Sequence, residues 1–189
     1  YLDRPDVSGG EALAGLLRPG NAGSNTAADH VKVLDLAIAA LPDDARPRPG
    51  QSDGPKMMAS ADSAGATHVF AAALRARGIG FSLGFAVDEN LQQAILATPK
   101  HAWTEAYNAD GQPRRGAWVA ELTGLLDLSR WPKGMRVIIR KERPHPGAQL
   151  RLASVLDAAP SGEKAGEALE AMAELEIERG EKQEAAKLY

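Results

Sequence analysis

The chain has 189 residues, of which 44% are hydrophobic, so it can bury one core of ordinary size but not two large domains. It contains no cysteine, which excludes disulfides and thiolate metal sites, and no apolar run approaches the roughly 18 residues of a membrane span. The first residues lack the basic-then-apolar pattern of a signal peptide, so we expect a cytoplasmic protein without a membrane partner.

The formal net charge of −3 is unevenly distributed. Residues 1–151 carry eighteen basic and sixteen acidic side chains, whereas residues 152–189 carry four basic and nine acidic ones. Between Arg130 and Arg151 there are seven arginines and lysines, and Glu142 is the only acid. This density is typical of a surface that contacts phosphates, and equally of a solvated strand face.

The first fifty residues contain one clear helix. Residues 12–17 are a short apolar run, which we interpret as a strand because its internal glycine and the following Pro-Gly disfavour a helix. Over residues 26–41, apolar side chains recur at three- and four-residue spacings, which predicts an amphipathic helix. Thr26 and Asp29 fit a capping box at its start. The Pro-, Asp- and Gly-rich residues 43–55 predict a loop.

The next segment predicts a strand, a tight turn and a helix, with one carboxylate at the turn. Mostly apolar residues lead to Asp62, small residues follow, and an amphipathic pattern begins at Thr67. In an α/β sheet this order places Asp62 at the carboxyl end of a strand, where open sheets gather ligands and metals. The simpler alternative is that Asp62 only ends a turn or caps the helix.

The same order of elements is then repeated. Gly78 ends the helix, and residues 79–87 alternate large and small side chains, which predicts a strand. Asp88 is placed to cap a further helix over residues 89–97. Two strand-helix pairs in succession predict an α/β fold.

Residues 103–150 have a different pattern, with turns and short strands. Residues 108–111 form a strong turn signal, and residues 118–123 and 136–143 are predicted strands. The three tryptophans of the chain lie in this block, where they would stack on nucleobases or, more simply, form the core of a small β subdomain.

The C-terminal residues 162–189 predict two helices joined at Gly180, and they resemble part of a tetratricopeptide-type repeat. One repeat cannot bury its own apolar face. We therefore expect this tail to pack on the body, bind a protein partner or fray.

Four blocks of the sequence occur in an order that resembles the bacterial insertion-sequence transposases of the DDE group 1 type, over residues 1–151. The blocks are Arg18-Pro19-Gly20-Asn21-Ala22-Gly23-Ser24-Asn25-Thr26, Asp62-Ser63-Ala64-Gly65-Ala66-Thr67, Trp118-Val119-Ala120-Glu121-Leu122-Thr123-Gly124 and Arg140-Lys141-Glu142-Arg143-Pro144-His145-Pro146-Gly147-Ala148-Gln149-Leu150. The resemblance implies an RNase H-like core in which three acidic residues hold two divalent ions, Mg²⁺ or Mn²⁺. Asp62 matches the second of these acids.

The resemblance also implies a division of the chain and a set of site residues. Residues 1–100 would be a partial RNase H-like core, residues 101–151 a β-rich insertion, and residues 152–189 a helical tail that need not belong to the core. Asp62 would be catalytic and bind metal, transposon-end DNA would be the partner, and a homodimer is allowed. The cations expected to contact DNA are Arg136, Arg140, Lys141 and Arg143.

By the same resemblance, the first acid should end a strand before Tyr1, and the third should lie on a helix after the insertion. We therefore expect a fragment of a transposase that is inactive alone. Two other functions stay open. One is a helical-repeat adaptor that binds a protein through its tail. The other is a metal-dependent nuclease or phosphatase in which Asp62 converges with acids such as Asp29 or Asp88.

Overall fold

The computed structural model describes residues 1–4, 7–50, 56–143 and 151–158. Within these residues there are three α-helices and eight strands. The helices are α1 Ala27–Ala40, α2 His68–Ala76 and α3 Glu89–Ala97. The strands are β1 Leu2–Arg4, β2 Val7–Glu11, β3 Met58–Ala61, β4 Gly80–Phe85, β5 Thr104–Tyr107, β6 Pro113–Glu121, β7 Arg136–Glu142 and β8 Arg151–Ala158. None of the described helices has both the length and the apolar character that a membrane crossing needs.

Six of the strands form one sheet in the order β3-β4-β8-β7-β6-β5. β3 and β4 are parallel, with Ala61 opposite Leu83, and the other four pairings are antiparallel. β1 and β2 form a separate antiparallel hairpin. The parallel pair is connected through α2, so the carboxyl ends of β3 and β4 meet at the same edge of the sheet.

The hydrophobic core lies between one face of this sheet and the helices. Successive side chains of a strand point to opposite faces, so Phe81, Val137 and Ile139 face the core together. Leu74 of α2 and Leu91 of α3 pack against them and are almost fully buried. The core therefore fixes β4 and β7 under the helices, and β3 lies at the edge of the sheet beside β4.

The three helices predicted within residues 26–97 are confirmed, with the predicted capping box of α1 and the predicted Asp88 cap of α3. The Thr26 hydroxyl accepts a hydrogen bond from the Asp29 amide at 3.2 Å, and the Asp29 carboxylate accepts one from the Thr26 amide at 2.8 Å. Thr67 caps α2 and Asp88 caps α3. After α2, Gly78 has a φ of +75°, a conformation that glycine adopts without strain.

The strands differ from the predictions in three places. The predicted strand over residues 12–17 is wrong, since Leu17 is fully exposed and the strands near the N-terminus are instead β1 and β2. β6 begins at Pro113, earlier than the predicted residue 118. Residues 12–17 pair with no strand among the described residues, so their apolar run does not become one. The first residues of β6 belong to the strand because they pair with β5.

The third difference is β8, which the sequence analysis did not predict. β8 pairs with β4 on one side and β7 on the other, at the centre of the sheet. A helical tail therefore does not begin at residue 152. The two helices predicted over residues 162–189 lie outside the described residues.

Candidate functional site

Asp62 directly follows β3, as predicted, and its side chain is exposed. One carboxylate oxygen, Oδ1, accepts a hydrogen bond from the Ala64 amide at 3.1 Å, and the Asp62 carbonyl accepts one from the Gly65 amide at 3.0 Å. These two bonds hold the turn between β3 and α2. The second carboxylate oxygen, Oδ2, has no hydrogen bond to the described residues.

Two glycines give the Asp62 turn its shape. Gly65 is buried, and a Cβ at this position would lie 2.5 Å from the Cβ of Ala61, so only glycine fits without a shift. On the neighbouring strand β4, a Cβ at Gly84 would lie 4.0 Å from the Asp62 Cα. The missing side chain at Gly84 thus faces the backbone at the end of β3.

The described residues do not complete a metal centre around Asp62. Nowhere in the described part of the chain do three or more His, Cys, Asp or Glu side chains come together as potential metal ligands. Asp29 and Asp88 cap their helices instead. Hydrogen bonds from Thr26 hold the pKa of Asp29 below its usual value, which is the behaviour of a capping carboxylate. The nuclease hypothesis, in its form with Asp62, Asp29 and Asp88 around one cluster, is therefore not supported.

A lone carboxylate does not fit a centre of two divalent ions. Hard cations need six or more oxygen ligands each, and two ions side by side need several carboxylates to balance their charge. Asp62 supplies one exposed oxygen. A complete centre would require acidic residues beyond those that the structure describes.

The four cations expected to contact DNA are divided between the two faces of β7. Arg136 and Arg140 lie on the face turned away from the helices, because β7 alternates and Val137 and Ile139 point to the core. Both arginines are paired there. Arg136 Nη2 lies 2.8 Å from Glu121 Oε2, and Arg140 Nε lies 3.0 Å from Glu142 Oε2.

Lys141 lies on the opposite face of β7, the one that carries the core. Its Nζ is 3.7 Å from the centroid of the Trp103 ring and 5.6 Å from that of Trp118, which are cation–π distances. Arg143 follows β7 and is exposed. The structure thus separates residues that are close in sequence, and their assignment to DNA stays a prediction.

Trp131 contacts the first residue of α2. Its ring centroid lies 4.2 Å from that of His68, and its side chain packs against the core cluster, as does that of Trp103. The simpler interpretation of these tryptophans, as core residues, fits both. The sequence did not predict that Trp131 would lie at the end of α2 nearest the Asp62 turn, because the two segments are far apart along the chain.

Replacing Glu121 by glutamine is expected to destabilise the fold by less than about 1 kcal/mol, because the Glu121 side chain is 45% exposed and water screens its pair with Arg136. Hydrogen bonds from Arg136 and Thr123 hold the pKa of Glu121 below its usual value of 4.5. The pair therefore stabilises the fold above about pH 4.5 and loses this effect as the pH falls through the lowered pKa.

Urea denaturation of the wild type and of Glu121→Gln at about pH 7 and about pH 3 measures this loss. Glu105→Gln on β5, an exposed residue, is the matched control. If the free energy of unfolding differs between wild type and Glu121→Gln by the same amount at both pH values, the Glu121–Arg136 pair does not stabilise the fold in the way described.

Comparison with known proteins gives the family. The sequence model described as "Transposase DDE domain group 1" matches residues 6–183, nearly the whole chain. The chain belongs to this family of DDE transposase domains. The match continues well past Arg151, so the expectation that the resemblance ends there is wrong. No curated protein and no solved structure matches the chain.

Proposed function

We propose that the chain contributes Asp62 as one of the metal-binding acids of a transposase that cleaves DNA and joins its strands at insertion-sequence ends. The observation that carries this proposal is the position of Asp62. It is an exposed carboxylate at the carboxyl end of β3, in the parallel β3-α2-β4 unit of a chain that belongs to the DDE family. An RNase H-like arrangement of the core, action in the cytoplasm and DNA as the partner are parts of the same proposal.

The geometry of the turn suits this role. The amide of Ala64 donates to one oxygen of the exposed Asp62 carboxylate, which orients the side chain and leaves the other oxygen without a hydrogen bond to the described residues. Small residues on both sides, Ser63 and Ala64 after it and Gly84 beside it, leave room for the phosphate backbone of a bound DNA. Bound divalent ions would activate the attacking oxygen and stabilise the negative charge that develops on the phosphoryl oxygens.

The proposal includes low activity of the chain by itself. A single Asp cannot hold two ions, and two more acids have to join it from outside the described residues. In keeping with the expectation that the chain is a fragment, we propose that the purified chain shows little or no strand transfer. Robust Mg²⁺-dependent strand transfer by the purified chain, abolished by Asp62→Asn, would overturn this part of the proposal.

Metal contact at Asp62 is testable without catalysis. Mn²⁺ titrated into the ¹⁵N-labelled chain is expected to broaden the amide signals of Ala64 and Gly65 first, because paramagnetic broadening falls steeply with distance. Asp62→Asn should abolish this selective broadening. Asp88→Asn should keep the selective broadening. This substitution removes the same charge as Asp62→Asn, and Asn caps α3 as well as Asp does. Broadening that is unchanged in Asp62→Asn would contradict the proposed site.

A further inference from the structure

A segment that joins β6 to β7 packs along α2, on the helix-covered side of the sheet. Arg75 of α2 donates a hydrogen bond from Nη2 to the Lys133 carbonyl at 3.2 Å. At the other end of α2, the rings of His68 and Trp131 are in contact, with centroids 4.2 Å apart. We define the α2 loop surface as His68, Arg75, Arg130, Trp131 and Lys133.

The α2 loop surface is positively charged. Arg130 and Lys133 are exposed, and in the described part of the chain neither side chain forms an ion pair. α2 itself contains no acidic residue. The one acid of the loop, Asp127, accepts a hydrogen bond from the Ser129 amide at 2.9 Å, and this bond lowers its pKa. The loop therefore carries two exposed cations, Arg130 and Lys133, that form no ion pair in the described part of the chain, and one acid.

The cations of β7 differ from those of the α2 loop surface. Arg136 and Arg140 lie on the other face of the sheet and are paired with Glu121 and Glu142. Glu142 also accepts from Arg114 at 2.8 Å. Since paired charges attract phosphate less than unpaired ones, the attraction for a polyanion is stronger at Arg130 and Lys133 than at Arg136 and Arg140.

The dimensions of the α2 loop surface match a DNA strand. His68 and Arg75 are seven positions apart, or about 10 Å along a helix. Phosphates of one strand of B-DNA follow each other every ~3.4 Å along the axis, so this length spans about three of them. The His68 end lies next to the turn that carries Asp62. A backbone that runs along α2 would therefore lead towards the Asp62 carboxylate.

We propose that the α2 loop surface holds the phosphate backbone of duplex DNA, with Arg130 and Lys133 as the contacting cations and Arg75 holding the loop through the Lys133 carbonyl. This rests on the proposed function for the identity of the polyanion. His68 and the core hold the Trp131 ring, so Trp131 is a positioning residue that fixes the loop against α2. Contacts to phosphate position a duplex without reading its sequence, so the surface binds DNA of any sequence.

Fluorescence anisotropy of the full chain with a labelled duplex of about 30 base pairs tests this surface. The double variant Arg130→Gln/Lys133→Gln is expected to bind roughly tenfold more weakly at about 0.1 M salt. Its plot of log affinity against log salt should be shallower by about 2. The matched control is Lys100→Gln/Arg115→Gln, which removes the same charge at two exposed positions outside the surface, and it should bind within about twofold of the wild type.

Three outcomes would overturn the inference. One is an equal loss of affinity in the loop variant and the control variant, which would show only a general charge effect. Another is a loss in Arg140→Gln/Arg143→Gln but not in the loop variant, which would place the DNA on β7. The third is wild-type binding to duplex RNA or polyglutamate that is as tight as binding to DNA. Mn²⁺ broadening at Ala64 reports on the Asp62 site independently, so the proposed function can stand when this surface fails.

Discussion

Gly65→Ala is expected to lower the free energy of unfolding by about 1–3 kcal/mol, because the new Cβ would lie 2.5 Å from the Cβ of Ala61. Neither atom can move away cheaply. Ala61 belongs to β3 and is held in register with Leu83, and Gly65 is held through its amide by the Asp62 carbonyl. The expected relief of the clash is a displaced turn, which would also move the Asp62 carboxylate.

Urea denaturation measures the effect, and two further variants make the test specific. Gly23→Ala places a methyl group where no atom lies within 4 Å, so it should leave stability nearly unchanged. Ala61→Gly/Gly65→Ala removes the clashing atom and should recover part of the loss. If Gly65→Ala and Gly23→Ala unfold at the same urea concentration, the close approach of the turn to β3 is wrong.

Asp62→Asn should lower strand transfer at least about a thousandfold in a protein that contains this chain together with two further catalytic acids. Loss of a metal-binding carboxylate forfeits several kcal/mol of charge stabilisation in the transition state, and each 1.36 kcal/mol is tenfold in rate. The asparagine side chain has the same size as that of aspartate but carries no charge. Stability should change little, because the Asp62 side chain is exposed.

Strand transfer between labelled donor DNA and a plasmid target measures this loss. Asp88→Asn again serves as the control, with the same change of atoms at a helix cap. If Asp62→Asn and Asp88→Asn have equal strand-transfer activity, Asp62 is not a catalytic residue. A parallel urea titration separates loss of activity from loss of folded protein.

The parts of the fold that the sequence predicted are local. α1, α2 and α3 begin directly after Thr26, Thr67 and Asp88, because the side chain of each of these caps accepts a hydrogen bond from the amide three positions later. The turn at Asp62 is local in the same sense, since its hydrogen bonds reach only Ala64 and Gly65. A pattern of neighbours along the chain is sufficient to predict such features.

The parts that the sequence did not predict depend on pairing between distant segments. β8 lies at the centre of the sheet because it pairs with β4, which is far earlier in the chain, as well as with β7. The cluster of cations after Arg130 looks continuous in sequence, but a strand turns alternate residues to opposite faces. Arg140 therefore pairs with Glu142 on one face, and the neighbouring Lys141 lies between two tryptophans on the other.

The nucleotide sequence on both sides of this reading frame tests the central claim most directly. If Asp62 is the second acid of a DDE site, an apolar strand ending in Asp should be encoded upstream, and a helix bearing Glu should follow residue 158, either within this chain or in the downstream flank. An upstream flank that encodes no such strand and Asp would contradict a catalytic role for Asp62.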